Sequence, residues 1–406
     1  MTLTSEPAAA ASEATAFSTL RSDFYGFEDL LPEHEKTALA GLRSYLEAEV
    51  KPVVNGAWEK AEFPREILPG LHRQPVFGMQ WAETSSFENS AVYRGWVALE
   101  LARVDASVAT YVGVQNGLAM GAIGVAGSPE QRAEWLPKLA SGELIGAFGL
   151  TEPLSGSDSA QGLRTVARRD GDDWILDGAK RWIGNATFSD VTVIWARKAD
   201  DGQVTGFIVP NDTPGFTTAK IENKQSLRIV QNADIVLEGV RVPERLRLQN
   251  ANTFRDTAAV LRLTRAEVAW AAVGNSIGAY EAALRYATER QQFGKPIAAH
   301  QLVQDLLAKS IGNITASIAM VTRVSQMLDH GTQRDEHAAL AKAFATSRMR
   351  ETVAWAREAM GGNGIVLDYD VARHFADAEA LYSYEGTREM NTLIVGKAIT
   401  GQSAFV

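Results

Sequence analysis

Apolar residues recur at three- and four-residue spacing through the first third of the chain. Leu39, Leu42, Leu46 and Val50 share one face of Glu35 to Lys51, a stretch otherwise rich in strong helix formers. The pattern resumes from Gly95 to Val104, and residues 29–146 read as helical. Ser128-Pro129-Glu130-Gln131 is a helix start, with a serine cap, proline in the first turn and glutamine three residues on. The stretch 106–127 is rich in small residues, which permit close packing or one wall of a narrow pocket.

At Phe148 the period changes. Trp174-Ile175-Leu176 runs into Asp177-Gly178, read as a hairpin-type turn, and Lys180 to Ile183 follows. Val191 to Ala196 is short and mostly apolar, as in a buried strand. Asp201-Gly202 is a further turn before Val204 to Val209, and Ala233 to Val242 alternates around Gly239. Short strands at this spacing predict a small β-barrel or sandwich.

Helical periodicity returns after residue 253. Leu307, Ile311, Ile314, Ile318, Val321, Val324 and Leu328 form one long apolar stripe, as in an antiparallel bundle or a subunit interface. Helices are expected at about 256–291, 301–329, 335–360 and 387–401. The fold class expected is therefore mainly α with a central β domain. Its parts are a disordered tail (1–20), an N-terminal helical domain (21–147), the β domain (148–252) and a C-terminal four-helix bundle (253–406).

Composition narrows the function. Apolar content of 46% over 406 residues supports sizeable cores, and a net charge of -9 disfavours nucleic acid or an anionic membrane as partner. With no cysteine, disulfides, thiolate metal sites and cysteine nucleophiles are excluded. The six histidines show no metal-ligand spacing, so no metal site is expected. Neither a signal peptide, a run of about 20 consecutive apolar residues, nor a peroxisomal Ser-Lys-Leu ending is present, and a cytoplasmic location is the default. G-x-G-x-x-G after a strand, Walker A and G-x-S-x-G patterns are missing too.

Candidate chemistry centres on Tyr384-Glu385-Gly386-Thr387, just ahead of a helix that Thr387 can cap. A carboxylate beside an aromatic ring and a glycine suits a general base, though an acid in a helix's first turn also complements its dipole. Phe148 to Asp158, FGLTEPLSGSD, is a loop of small hydroxyl residues and glycines that can offer amides to an anionic ligand, or satisfy itself as a turn. Lys180-Arg181-Trp182-Ile183-Gly184-Asn185 places a tryptophan in a strand, where it ordinarily joins the core. Thr264-Arg265 lies on a helix, where an arginine is ordinarily exposed. Arg290-Gln291-Gln292-Phe293-Gly294-Lys295-Pro296 ends a helix, and its arginine can pair with phosphate or serve the helix C-terminus. Met360-Gly361-Gly362-Asn363-Gly364 is a helix stop.

Taken together, LTEP with GSD, RQQFGKP and YEGTREMNTLIVGKAITG resemble the acyl-CoA dehydrogenase family over nearly the whole chain beyond about residue 20. The likeness is nearest to the glutaryl-CoA dehydrogenase and short-chain acyl-CoA oxidase branch. The resemblance implies FAD-dependent α,β-dehydrogenation of a short- or medium-chain acyl-CoA in fatty-acid β-oxidation. Glu385 would be the α-proton base and flavin N5 the hydride acceptor. It assigns Leu150, Thr151, Trp182, Ile183 and Gly184 to the flavin and Ser157 to a pyrophosphate. Arg290, Phe293 and Gln301 go to the FAD of a neighbouring subunit, and Gly361, Thr387 and Glu389 complete the cofactor set. Substrate contacts fall to Ser157, Ala109, Arg265 and Gly386. A homotetramer and electron transfer to electron-transferring flavoprotein are implied as well.

Three departures bear on activity. Gly184 stands where the family usually has threonine, and Trp-Ile-Gly-Asn resembles acyl-CoA oxidases that pass electrons to O2. Ala109 aligns with the arginine that glutaryl enzymes use for the distal carboxylate, so an uncharged acyl chain is expected. Thr264 occupies a position where some members place their base, and a threonine cannot serve. Glu267, two residues beyond Arg265, is read as facing elsewhere. A non-catalytic acyl-CoA-binding homologue is the remaining alternative.

Overall fold

The computed structural model describes residue 20 and residues 22–405. The expected disordered tail lies outside these residues apart from Leu20, which packs into the core.

Seven described helices precede the sheet: α1 (Glu33–Tyr45), α2 (Lys51–Lys60), α3 (Leu68–His72), α4 (Ala91–Val104), α5 (Ala106–Val112), α6 (Gly121–Ala126) and α7 (Pro129–Ser141). More widely wound segments, Leu46–Val50 and Gly113–Met120, join α1 to α2 and α5 to α6. The stripe Leu39, Leu42, Leu46 and Val50 is wholly buried, so the core-facing side persists through the wider turn. The box at Ser128 forms as read. Its Oγ accepts from the Gln131 N–H at 3.2 Å, and Gln131 Oε1 accepts from the Ser128 N–H at 2.9 Å. The rod over 106–126 is long and apolar enough to cross a membrane by length and composition, but 72% of its most apolar window is buried inside the fold. It is a core helix here.

The β region is one curled, seven-stranded sheet. Its strands are β1 (Gly146–Gly149), β2 (Val166–Asp170), β3 (Asp173–Ile183), β4 (Val191–Lys198), β5 (Val204–Pro210), β6 (Phe216–Lys220) and β7 (Ala233–Pro243), with a short helix α8 (Ser159–Gly162) between β1 and β2. The order is β1-β4-β2-β3-β7-β6, with β5 also on β4; β1 and β2 run parallel to β4 and the other neighbours are antiparallel. Asp177-Gly178 is not the hairpin expected from sequence. It is a bulge inside the continuous strand β3, where the register with β7 shifts. A Cβ on Gly178 would come within 2.5 Å of Thr165 Oγ1, so glycine here serves a close approach, which asparagine- or aspartate-glycine pairs do not distinguish from a turn.

Five described helices follow the sheet, one more than predicted: α9 (Phe254–Glu289), α10 (Gln301–Asp329), α11 (Asp335–Ala359), α12 (Val371–Ser383) and α13 (Arg388–Thr400). A small hairpin, β8 (Gln291–Gln292) with β9 (Lys295–Pro296), joins α9 to α10. The helix α12 escaped notice because Arg373, His374 and Asp377 point into the interior while Phe375 is exposed. Buried charge on the inner face erases the apolar period on which the sequence reading relies.

Helices α4 and α9 run side by side in the same direction, since Gly95 meets Trp270, Leu99 meets Gly274 and Arg103 meets Gly278. A Cβ on Gly274 would lie 2.1 Å from the Leu99 carbonyl oxygen, so only glycine lets the backbones approach this closely. This contact carries the candidate site at one end and a buried ionic network at the other.

Candidate active site

Glu385 sits in the turn between α12 and α13 with φ of 53°, followed by Gly386 at 81°. A left-handed non-glycine residue is a strained arrangement that the surroundings must impose. They do so from two sides. Lys342 on α11 donates to the Tyr382 carbonyl at 2.9 Å and the Gly386 carbonyl at 2.7 Å, and Asn391 on α13 donates to the Gly386 carbonyl at 2.8 Å. Thr387 caps α13, its Oγ1 accepting from the Met390 N–H at 3.3 Å.

The Glu385 carboxylate is recessed and receives one side-chain hydrogen bond, from the Thr264 hydroxyl at 2.7 Å. Burial raises its pKa, opposed by that hydrogen bond and by the charges of Arg265 and Lys342. Its backbone N–H has no hydrogen-bond partner among the described residues. Arg265 is not the exposed helix arginine of the local reading. Its guanidinium is half-buried near Glu385, its pKa lowered by burial, and its Nε has no hydrogen-bond partner among the described residues. Lys342 is likewise buried, its ammonium pushed down to about 8 by desolvation against the pull of Glu385. Lys342 and Asn391 were missed from sequence; each is one polar residue in a helical stretch with nothing local to mark its target.

Trp182, near the end of β3, adopts φ of 64° and remains 51% exposed, just ahead of the buried run Ile183 to Asn185. It is not a core tryptophan. Its carbonyl accepts from Asn232 at 3.2 Å, and Arg181 stacks on its ring at 5.2 Å. The Arg181 N–H donates to the Thr151 carbonyl at 2.9 Å, which brings the Leu150-Thr151 loop alongside. Leu150 is buried and Ser157 exposed. Gly184 has a packing reason to lack a side chain, since a Cβ there would meet Val114 Cγ2 at 3.0 Å. Glu152 was overlooked from sequence. It pairs with the wholly buried Lys180 at 2.8 Å and accepts from the N–H groups of Arg164 and Thr165, fixing the loop that carries Leu150 and Ser157. Desolvation pushes Lys180 down to about 8. An open aromatic face above a rigid loop fits a flat ring system such as an isoalloxazine.

Ala109 is half-buried on α5; its neighbour Thr110 meets the hydroxyl of Tyr384, the residue before Glu385. Arg290, Phe293 and Gln301 belong elsewhere. All three are exposed, Phe293 by 93%, and Arg290 follows Arg265 by roughly 37 Å along α9 at about 1.5 Å per residue. Gly361 ends α11 at φ of 57° and is exposed, as is Glu389, whose carboxylate pairs with Arg388. Among the described residues no group of three or more His, Asp or Glu could hold a metal ion.

Glu267 does not face elsewhere. It lies three residues beyond Thr264, hence on the same side of α9, whereas the two-residue offset from Arg265 points to a different face. A Cβ on Gly117 would come within 2.9 Å of both Glu267 Oε2 and Thr264 Cγ2. Burial, with the nearby charge of Glu385, raises the Glu267 pKa to about 7 against the pull of Arg94.

Three family models match: the N-terminal domain of acyl-CoA dehydrogenase over residues 32–143, the middle domain over 147–240 and the C-terminal domain over 254–400. An acyl-CoA dehydrogenase of Bacillus subtilis is 32% identical over 89% of this chain and 96% of its own length. Glutaryl-CoA dehydrogenase from Mycobacterium smegmatis superposes with a TM-score of 0.91 at 39% identity, covering 95% of this chain and 99% of that one. A second structure of glutaryl-CoA dehydrogenase from that organism, in complex with FADH2, gives 0.91 at 36%, with 94% and 98% covered. Butyryl-CoA dehydrogenase from Megasphaera elsdenii gives 0.86 at 29%, with 91% and 98% covered. This chain belongs to the acyl-CoA dehydrogenase family of FAD-dependent oxidoreductases.

Proposed function

We propose that the protein forms the α,β double bond of a short- or medium-chain acyl-CoA, with Glu385 as the base. Bound FAD supplies the hydride acceptor, an electron sink that side chains lack. The thioester acidifies the α C–H, and Glu385 removes that proton as the C–C bond becomes a double bond; the β-hydrogen leaves with its electron pair. The unpaired N–H of Glu385 is free to hold the thioester oxygen, where negative charge develops. Arg265 stands ready for an anionic part of CoA. Trp182, Ile183, Gly184, Leu150, Thr151 and Ser157 would hold the flavin and its phosphates.

The observation that carries this reading is the recessed Glu385 carboxylate, with one hydroxyl donor and a raised pKa. Exclusion of further water by substrate raises that pKa again and strengthens the base. Glu385→Gln should lower kcat by at least about 10²–10⁴-fold. Near-wild-type bleaching of the flavin by butyryl-CoA under anaerobic conditions would refute the role.

Ala109 leaves a distal carboxylate without a counter-charge, which favours an uncharged chain over glutaryl-CoA in spite of the likeness to glutaryl-CoA dehydrogenase. Electron-transferring flavoprotein is the acceptor of this reading, within cytoplasmic β-oxidation. Arg290, Phe293 and Gln301 are exposed, and they lie just beyond the end of α9 that is remote from Arg265, which supports a homotetramer in which they, with Gly361, Thr387 and Glu389, complete a neighbour's FAD site. Gly184 in place of threonine favours a second reading, an oxidase. Stoichiometric hydrogen peroxide release in air would establish it.

A further inference from the structure

Glu267 is a carboxylate beside the base that the proposed reaction does not use. Gly117 makes room for it, because any side chain there would strike Glu267 Oε2 and Thr264 Cγ2 together. Thr264 in turn bonds Glu385, so base, threonine and second acid adjoin one another. Glu267 makes no hydrogen bond or ion pair among the described residues, yet retains some accessible surface. The cation attracted to it, Arg94, is engaged with the Asn89 carbonyl and side-chain oxygens at 3.1 and 2.9 Å. An enclosed carboxylate without a partner is costly, and folds rarely keep one unless something else satisfies it.

We propose that Glu267 determines acyl specificity, accepting a hydrogen bond from a donor group, a hydroxyl or an ammonium, on the acyl chain, and rejecting a chain that ends in a carboxylate. This rests on the dehydrogenase reading above. Above pH 7, where Glu267 is mostly ionised, a donor on the substrate satisfies its oxygens, while a second carboxylate would meet its charge at short range. The absence of a counter-charge at Ala109 acts in the same sense. Selectivity therefore comes from a repulsive element as well as an attractive one.

The test compares ω-hydroxy, ω-amino, unsubstituted and ω-carboxy acyl-CoAs of matched length, five to about eight carbons, in the FAD-loaded enzyme. At the best length, kcat/KM for a donor-bearing chain should exceed that of the unsubstituted chain by about 10-fold or more, and the ω-carboxy chain should be poorest. Most of the preference should appear in KM. In Glu267→Gln and Glu267→Leu the ratio of hydroxy or amino to unsubstituted chain should fall several-fold, and ω-carboxy chains should gain relative to both. Calorimetric affinity for the matching 2-enoyl-CoA products should follow the same order. A wild-type enzyme that oxidises unsubstituted chains but shows no preference for donors at any length overturns this inference and leaves the dehydrogenase reading standing. Failure of every acyl-CoA to bleach the flavin overturns both. A purely structural Glu267 would lower stability in the variants without moving the selectivity ratio, and that result also overturns it.

Discussion

The two ends of the α4–α9 contact treat buried carboxylates in opposite ways. At one end, Arg43 reaches Glu28 and Glu100 at 2.9 and 2.7 Å, and Arg103 reaches Glu100, Glu47 and Glu281 at 2.9, 2.8 and 3.1 Å. Nearby, Asp105 meets Arg373 at 2.8 Å with both side chains almost wholly inaccessible. At the other end, Glu385 has one hydroxyl donor and Glu267 has no partner among the described residues. The chemistry of the residues is the same, and what differs is compensation. Burial raises the pKa of Glu28 and Asp105 as it does that of Glu385 and Glu267, but Arg43 and Arg373 bond the first two, oppose that rise and tie elements together; Glu385 and Glu267 have no such bonded cation among the described residues and keep the capacity to take a proton.

Breaking the compensated end should have the largest effect on stability. Asp105→Asn leaves the Arg373 guanidinium buried against a neutral partner, and the loss should be about 3–5 kcal/mol in denaturant unfolding. A loss below about 1 kcal/mol would mean that this pair is no more committed to the fold than Glu267 is. The uncompensated end should behave in the reverse way. Since the Glu267 pKa is raised to about 7, its protonated form is favoured by folding, and its ionisation costs stability as pH climbs from the ordinary carboxylate range through 7. Glu267→Gln should therefore stabilise the protein at pH 8 by on the order of 1–2 kcal/mol, with the gain vanishing near pH 4. The smallest change concerns Thr264. Its hydroxyl favours the charged form of Glu385, so Thr264→Val should raise the base's pKa further. The acid limb of the kcat profile should move to higher pH by about one unit or less. A shift to lower pH would contradict the hydrogen bond's assigned sense.

What the chain disclosed in advance followed from local rules. The stripe on α1, the cap at Ser128 and the apolar run at β4 depend on neighbours in sequence, and so does the glycine turn at Gly202. The helix α12 and the bulge at Gly178 depend on what packs against them from far away. The site divides along the same line. Glu385 is conspicuous because its acid, aromatic and glycine neighbours are consecutive. Lys342, Lys180 and Glu152 act across 44, 28 and 28 residues of sequence, and no local pattern marks them. Glu267 was within reach, since the three-residue spacing from Thr264 already placed it on the base's side of α9.

The role proposed for Glu385 is removal of the α-proton. Exchange in D2O isolates that step, because a 3-thiaacyl-CoA has a C2–H to lose but no β-hydride to give. With the wild-type protein, proton NMR should show the C2 signal decaying as deuterium enters, and Glu385→Gln should slow that decay by at least about 10²-fold. Equal exchange rates in the two proteins would place the base elsewhere and contradict the account.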